Sequence, residues 1–380
     1  MISKLYLSTI LAPYYKALTI IICSFCLLSC DNEPQSKAEK NPLKELANNS
    51  GNYERPSKNN VIRFPQAHAP KKAYRQEWWY LTANLTTESG EQLGAQWTLF
   101  RRAVGDKHWY FAHAALGGSK HHESAYRDGR EELGNVVIQS APFKASISDW
   151  HWRSAAEFLP ASLRFGNGRM AGALKNAAQI AGNSMTEGGW YVDLQLSEEQ
   201  QFYLQGEKGF SQKHHTLDIS SHYYSQPFIK VSGKVFWQGQ WHTVTGDAWL
   251  DREWGTQLLA DDQQGWDWFS LRLDDQTALM VYRIRSIKQD YLYGSIMKRD
   301  GSIKVLGEND ISVIRLDNEA KGNVYPQSFK LLIPEEKVDI TVSVVNDQQV
   351  MRFGIEYFEG VVNFRGSHQG TGFLEMTGYE

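Results

Sequence analysis

Two carboxylates, Asp251 and Glu253, have the residue type and spacing in this sequence that best suit chemistry. In a β-strand, side chains two positions apart point to the same face and lie about 6.5 to 7 Å apart. Trp249 shares that face, and aromatic rings that exclude water raise the pKa of a neighbouring carboxyl. A carboxyl with a raised pKa can act as a general acid. We therefore predict Asp251 and Glu253 as candidate catalytic residues.

The same two carboxylates also have a structural interpretation. Arg252 lies between them in the chain, and paired arginines elsewhere offer further positive charge. Ion pairs of this kind would neutralise both acids and join two sheets, and such networks perturb pKa values without catalysing a reaction. The residues by themselves leave both interpretations open.

Aromatic and polar side chains around this run form a second set of candidates. The chain contains 13 tryptophans, 18 tyrosines and 17 phenylalanines. That number suits a pocket for a flat or long apolar ligand, and it equally suits a filled core. For a lone histidine in an apolar strand, a hydrogen-bonded core position is the alternative. The predicted ligand-binding residues are Trp249, Trp254, Tyr223, Tyr224, Lys213, His113 and Trp266.

Several familiar catalytic patterns are missing from the sequence. Residues 209–213 lack the final glycine of a G-x-S-x-G nucleophile elbow, and residues 166–172 miss the dinucleotide pattern G-x-G-x-x-G by one position. The adjacent histidines at 121–122 and 214–215 do not have zinc-binding helical spacing. We predict no serine-hydrolase chemistry, no metal and no cofactor.

The elements that must position these residues read as β-strands. Residues 77–85 and 93–101 alternate between apolar and polar side chains around a turn, which predicts a β-hairpin. Residues 267–271 repeat the start of this hairpin, and arginines close the return strand of each copy. An acid lies on the more apolar face of both hairpins, where a charge requires a partner. We predict structural ion pairs that involve Glu77, Asp267, Arg283 and Arg285.

Two further matches follow in the same order, 233–239 with 360–366 and 246–251 with 370–375. Three ordered matches favour an internal duplication. The many short alternating strands predict an all-β fold of two barrels that pack directly against each other. We place the first barrel, with insertions, at residues 61–255 and the second at 256–380. The least strand-like region, 158–188, is expected to form a short helix with loops and to act as a lid.

The start of the chain resembles an export signal. Lys4 and Lys16 accompany an apolar run at 17–28 that is too short to span a bilayer, as in a signal peptide. The run ends in a sequence that resembles the lipobox of bacterial lipoproteins, which implies cleavage before Cys30 and attachment of lipid to it. An ordinary signal peptide is the alternative. Asp31 looks like an inner-membrane retention signal, so the expected location is the periplasmic side of that membrane.

These features divide the N-terminal part into a lipoprotein signal peptide at 1–29 and a lipid-anchored disordered tether at 30–60. All three cysteines lie at or before the proposed cleavage site, so no internal disulfide is expected. Removing the two lysines of the signal peptide changes the formal net charge from −3 to −5. Since no basic patch is concentrated anywhere, nucleic acid is not a predicted partner.

Several runs of the chain resemble the AttH-like family, which is grouped with the carotenoid 1,2-hydratases. The resemblance covers about residues 75–379 and is carried by the runs at 77–80, 204–213, 223–225, 246–254, 265–269 and 372–379. It implies two lipocalin-like β-barrels side by side, in which Trp266 and Arg283 or Arg285 are structural. The hydratases add water to an isolated alkene after protonating it, which implies Asp251 as the acid, beside Trp249 and Trp254.

The predicted function is a membrane-anchored lipocalin-like protein that binds or carries a hydrophobic small molecule or lipid. We expect its ligand in an apolar hollow inside one barrel or at their junction. One alternative is a hydratase- or isomerase-type enzyme that acts on a polyene-like substrate with a carboxylic acid as proton donor. Another is an accessory lipoprotein of an ABC-type export system, because other members of the family look like such lipoproteins.

Overall fold

The computed structural model describes residues 44–48, 50–168, 189–197, 201–317 and 324–379. The predicted signal peptide, Cys30 and the Ala-rich segment 171–181 lie outside these residues. The described helical segments are Lys44–Ala47 and the 3-10 turns Gln66–His68, Glu131–Leu133 and Pro334–Glu336. None of the helices in this part of the chain combines the length and apolarity needed to cross a membrane.

The first thirteen strands of the described residues form one antiparallel sheet, which we call the N-terminal barrel. They are β1 (Gln76–Thr87), β2 (Gln92–Val104), β3 (Lys107–Gly117), β4 (His122–Gly129), β5 (Val136–Ser140), β6 (Phe143–Ile147), β7 (Trp150–Ser154), β8 (Ala161–Asn167), β9 (Trp190–Leu196), β10 (Tyr203–Leu204), β11 (Phe210–Gln212), β12 (Ser220–Trp237) and β13 (Gln240–Gly255). Their order is β4-β3-β2-β1-β13-β12-β9-β8-β7-β6-β5, and β10 and β11 also pair with β12. The sheet curls until β3 and β4 contact β6 and β8.

The remaining ten described strands form a second antiparallel sheet, the C-terminal barrel. They are β14 (Gln263–Arg272), β15 (Thr277–Ser286), β16 (Tyr291–Lys298), β17 (Ile303–Leu306), β18 (Ser312–Arg315), β19 (Ser328–Ile333), β20 (Val338–Val344), β21 (Val350–Phe353), β22 (Ile355–Gly366) and β23 (Gly370–Thr377). Their order is β17-β16-β15-β14-β23-β22-β20-β19-β18, and β21 pairs with β22. The all-β prediction of two tandem lipocalin-like barrels is confirmed: the first sheet is nearly a closed barrel and the second is a half-barrel.

Alternation along the strands gives each barrel its own core. On β1, Trp79, Leu81 and Ala83 point inward and are fully buried. On β14, Phe269 and Leu271 likewise point inward and are fully buried. Both cores are packed with large aliphatic and aromatic side chains, so the barrel interiors are filled in the way protein interiors usually are. The strong inward pattern is what the sequence periodicity had predicted for these hairpins.

The outer faces of the two sheets pack against each other through an aromatic cluster. Tyr80 and Trp249 of the N-terminal barrel meet Trp268, Tyr282 and Met280 of the C-terminal barrel in this cluster. Strands β1, β13 and β14 therefore carry apolar side chains on both faces. Because both faces of these strands are buried, the junction is as much a part of the fold as either core.

The strand register corrects one detail of the predicted duplication. Trp78 lies opposite Glu253 in the β1–β13 ladder, and Trp268 lies opposite Glu375 in the β14–β23 ladder. Glu375 thus occupies the place of Glu253, whereas the sequence match had aligned it with Asp251. A slip of two residues returns every side chain to the same face, so the alternating pattern cannot reveal it.

Two other expectations, for the region 158–188 and for the tether, were wrong within the described residues. Part of the region expected to be a helix with loops, Ala161–Asn167, is strand β8. The end of the predicted tether is packed on the fold: the backbone N–H of Leu258 donates to the carbonyl of Leu46 (3.1 Å), and the Tyr53 hydroxyl donates to the carbonyl of Gly105 (3.1 Å). Leu46 packs on the aromatic cluster between the two sheets. This apolar contact holds the segment on the fold despite its polar composition.

Candidate functional site

A cavity of about 580 Å³ lies at the junction of the two barrels. This volume is within the range of sites for small organic ligands. Both sheets contribute to it through their outer faces, together with Leu46, Leu258 and Leu259. Its aromatic lining consists of Trp78, Tyr80, Phe100, Phe111, Tyr126, Tyr223, Trp266, Trp268, Tyr282, Phe353 and Tyr357. The expected apolar hollow is therefore at the junction.

Strand alternation explains why these residues reach the cavity. On β1 the side chains that flank the inward Trp79 are Trp78 and Tyr80, and both line the cavity. On β14, Trp266 and Trp268 flank the inward Asp267 and also line the cavity. Large aromatic residues on an outer face would ordinarily be exposed to water. Here a second sheet covers them and leaves a space between.

Asp251 lines the cavity as a buried carboxyl, and no described residue forms an ion pair with it. The Tyr223 hydroxyl donates to Asp251 Oδ2 (2.7 Å) and the Trp249 indole N–H donates to Oδ1 (2.8 Å). Burial raises the pKa of Asp251 from 3.8 to about 7 and outweighs these hydrogen bonds, which favour the ionised form. Asp251 is therefore present both protonated and ionised near neutral pH.

Glu253 lies two residues away and has a different environment. The Lys213 ammonium is 2.8 Å from Glu253 Oε1, and the Ser221 hydroxyl donates to the same oxygen. Lys213 also lies over the Tyr282 ring, 4.5 Å from its centroid. Since Glu253 already has a cationic partner, Asp251 is the better candidate of the two for an acid–base group.

A second pair of buried carboxyls, of which Glu375 lines the cavity, was missed from the sequence. Glu359 and Glu375 lie opposite each other on β22 and β23. The Trp266 indole N–H donates to Glu375 Oε1 (2.7 Å) and the Tyr80 hydroxyl donates to Glu359 Oε1 (2.7 Å). Burial raises the pKa of Glu375 to about 7 and, with the charge of Glu375, raises that of Glu359. The pKa shifts of both carboxyls thus favour their protonated forms near neutral pH.

Most of the sequence-predicted ligand residues do line the cavity, namely Lys213, Tyr223, Trp266 and His113. Trp249 is buried beside it as a hydrogen-bond donor to Asp251. The His113 Nδ1 is 2.8 Å from the Tyr357 hydroxyl. Two aromatic residues that line the cavity, Tyr80 and Trp268, were missed from the sequence. Strand alternation would have placed both on the outer face, because each directly follows an inward residue, Trp79 or Asp267.

Tyr224 and Trp254 do not reach the cavity, which corrects their prediction as ligand residues. They pack with Ala67 and Tyr74 on the opposite side of the sheet. The Tyr224 hydroxyl is 2.6 Å from His68 Nδ1. Each directly follows a cavity residue in a strand, Tyr223 or Glu253, and consecutive residues of a strand point to opposite faces.

The predicted structural acids lie in buried ion pairs. Glu77 is completely buried and pairs with Arg101 and Arg252. Arg252 therefore does not neutralise Asp251 or Glu253, as the structural interpretation had suggested, because it points to the other face of the sheet. In the C-terminal barrel Asp267 accepts from Arg283 (2.6 Å) and lies 3.5 Å from Arg285, and the Tyr379 hydroxyl donates to it (2.7 Å).

Among the described residues, no group of three or more histidine, cysteine, aspartate and glutamate side chains is arranged to hold an ion. The buried carboxyls of Asp251 and Glu375, on an aromatic lining, are the groups of this cavity that could transfer a proton.

Comparison with known proteins agrees with this fold. The chain resembles the crystal structure of an AttH protein from Nitrosomonas europaea, with 28% identity and a TM-score of 0.72 over 86% of this chain and 99% of that one. It also shares its fold with kievitone hydratase from Nectria haematococca, with 16% identity and a TM-score of 0.60 over 87% of this chain and 97% of that one. No curated protein matches.

The family model of AttH-like proteins matches residues 55–379, which include both barrels and every residue of the candidate site except Leu46. The resemblance inferred from the short motifs is thereby confirmed over nearly the full fold. This chain belongs to the AttH-like family.

Proposed function

We propose that this protein binds an elongated, mainly apolar small molecule at the junction of its barrels and transfers a proton to a carbon–carbon double bond of that molecule. The outcome is hydration or migration of the double bond. The observation that carries the proposal is Asp251, a buried carboxyl on the wall of an aromatic cavity, with a pKa raised by burial to about 7.

The surroundings of Asp251 suit a general acid. An effective acid has a pKa close to the working pH, so that it is protonated often and releases its proton readily. Tyr223 and Trp249 hold both carboxyl oxygens, and the Trp268 indole N–H donates in turn to the Tyr223 hydroxyl (3.3 Å). These contacts fix the carboxyl in one orientation, which a positioned proton transfer requires.

The chemical step needs no further co-reactant than water. The Asp251 carboxyl gives its proton to one alkene carbon, and the π electrons form the new C–H bond. The second carbon becomes a cation, which the faces of the surrounding rings stabilise. Water attacks this carbon and returns a proton to the Asp251 carboxylate, which gives an alcohol. Loss of a proton from an adjacent carbon instead gives the isomerised alkene.

Kievitone hydratase has the same fold, and this shared fold is the extent of its support for hydration as the reaction class. Carriage of the ligand without chemistry is the simpler function that the same cavity would serve. The two differ in the need for an acid, since an apolar ligand can be bound without one.

The experiment compares wild-type protein with Asp251→Asn in deuterium oxide, with a panel of aryl alkenes and polyenes as substrates. We expect mass spectrometry to show deuterium at carbon with the wild type and a loss of at least about 100-fold in the variant, the usual cost of removing a general acid. Ligand binding, followed by tryptophan fluorescence, should persist in Asp251→Asn.

The matched control is Asp106→Asn, the same substitution at an exposed turn between β2 and β3. It should retain full turnover. A wild type that binds the alkenes tightly but never labels them would contradict the enzymatic proposal and leave the carrier function.

We also propose that the protein acts at the periplasmic face of the inner membrane, anchored through Cys30. The run of apolar residues that ends at Cys30 supports this, together with Asp31. Fractionation of cells that express Cys30→Ser would test the anchor, since the variant should leave the membrane fraction. Assistance to an ABC-type export system stays a prediction.

A further inference from the structure

One buried polar atom on the cavity wall has no partner within the described residues. His113, on β3, is 3% exposed, and its Nε2 makes no hydrogen bond there. Its other ring nitrogen, Nδ1, is held by the Tyr357 hydroxyl at 2.8 Å. Buried polar atoms are nearly always hydrogen-bonded, because an unpaired one loses its water without compensation. The orphaned nitrogen therefore needs a partner that this part of the chain does not supply.

The surroundings of His113 exclude a charged ring. Five aromatic rings lie around it, with centroids 5.2 to 5.7 Å away: Phe100, Phe111, Tyr126, Phe353 and Tyr357. Burial lowers the pKa of His113 to about 3, so the imidazole is neutral under physiological conditions. A neutral imidazole carries one donor and one acceptor nitrogen.

The Tyr357 hydroxyl decides which nitrogen carries the proton. In the described part of the chain this hydroxyl has no hydrogen bond other than that to His113. A phenol O–H is a good donor and an imidazole nitrogen a good acceptor, so we assign Tyr357 as the donor to Nδ1. The proton of the imidazole is then on Nε2, which becomes a donor in search of an acceptor.

The position of His113 relative to Asp251 follows from the strand register. His113 lies opposite Thr98, Thr98 opposite Tyr80, and Tyr80 opposite Asp251, so one straight row crosses β3, β2, β1 and β13. Three strand spacings separate the two ends, about 14 Å along the sheet. The rings around His113 line the same cavity as Asp251.

We propose that His113 Nε2–H binds a carbonyl oxygen at one end of an elongated, planar aromatic ligand, whose other end reaches toward Asp251. This inference rests on the proposed function, because it assumes that the ligand occupies the junction cavity. It adds the chemical class, since an unfunctionalised hydrocarbon would leave Nε2 unpaired. His113 is thus a specificity residue, separate from the acid.

Two stilbenes of nearly equal shape provide the test, 4-acetylstilbene and 4-isopropylstilbene. Only the acetyl compound offers a carbonyl oxygen. We expect wild-type protein to bind the acetyl compound about tenfold more tightly, the effect of one buried hydrogen bond. In His113→Phe, which retains a ring among the five aromatic rings, the preference should disappear while the isopropyl compound still binds. His121→Phe, at an exposed histidine, is the matched control and should retain the preference.

A measurement on the wild type makes the result independent of any folding defect in the variant. The nitrogen-15 resonance of His113 Nε2 should shift on addition of 4-acetylstilbene and remain in place with 4-isopropylstilbene. Equal affinity for both stilbenes, or a preference that survives His113→Phe, would overturn the proposal. In that case, deuterium transfer that depends on Asp251 would still support the proposed reaction. A preference for the acetyl compound without any deuterium transfer would overturn the proposed reaction and leave the role of His113 supported.

Discussion

At the scale of single residues, the cavity shows how neighbours set the role of a carboxyl. Asp251 and Glu253 are two positions apart on the same face of β13, yet within the described ranges a lysine pairs with Glu253 and none pairs with Asp251. A cation favours the ionised form, whereas burial without a cation favours the protonated form. Two acids of almost the same chemistry thus have different surroundings, one in an ion pair and the other held by neutral hydrogen-bond donors.

The raised pKa of Asp251 predicts a specific dependence of stability on pH. Between its usual value of 3.8 and about 7, the folded chain retains a proton at Asp251 that the unfolded chain has lost. The stabilisation from this residue is thus complete below about pH 4 and is lost as the pH rises through about 7. Asp251→Asn cannot ionise, so its stability relative to the wild type should increase over this range by up to about 4 kcal/mol.

Urea denaturation of both proteins at a series of pH values measures this difference. Asp106→Asn should show no comparable trend, because its carboxyl is exposed. A constant difference between Asp251→Asn and the wild type from about pH 4 to pH 7 would mean that the folded carboxyl titrates normally.

At the scale of elements, the strands β1 and β13 carry a buried ion-pair group on one face and cavity-lining residues on the other. Glu77, Arg252 and Trp254 belong to the inner face, and Trp78, Asp251 and Glu253 to the outer one. The inner ion pair joins the two strands with β2 through Arg101. Buried charges of this kind are costly to break, since each partner loses its compensation.

We expect Glu77→Gln to destabilise the fold by about 3 to 5 kcal/mol, because it leaves two buried guanidinium groups without their carboxylate. Burial by itself would raise the pKa of Glu77, but Arg252 and Arg101 outweigh it and lower the pKa. Chemical denaturation of the variant measures the loss. Glu207→Gln, which removes an exposed partner of Lys58, should leave the stability close to that of the wild type. Equal losses in the two variants would show that the inner pair contributes no more than a surface one.

At the scale of the whole molecule, the candidate site is a cavity between the two barrels. Each barrel is filled by its own core, and the cavity opens only where the outer faces meet. Duplication of a barrel therefore supplies more than stability, since a single copy would have only one wall of the site. Asp251 comes from the first wall and Glu375 from the second.

A substitution that fills the junction tests this arrangement. Thr98, in the row between His113 and Tyr80, lines the cavity. Thr98→Trp should weaken binding of 4-isopropylstilbene by at least about tenfold, because the indole occupies ligand space, as judged by fluorescence titration. Thr86→Trp lies on the same face of β1 as Tyr80 but outside the cavity, and should bind normally. Unchanged affinity in Thr98→Trp would place the ligand elsewhere.

The amino-acid sequence by itself determined the strands, their inward and outward faces, the doubled plan and the acid at position 251. These properties are local, since a period of two and a run such as Trp249 to Trp254 are visible in a few residues. Only the tertiary structure decided that the hollow lies at the junction, that Arg252 pairs with Glu77 rather than with Asp251, and that Glu359 and Glu375 lie opposite each other. Each of these depends on which strands become neighbours and in what register, and contacts between residues far apart in the chain leave no local pattern.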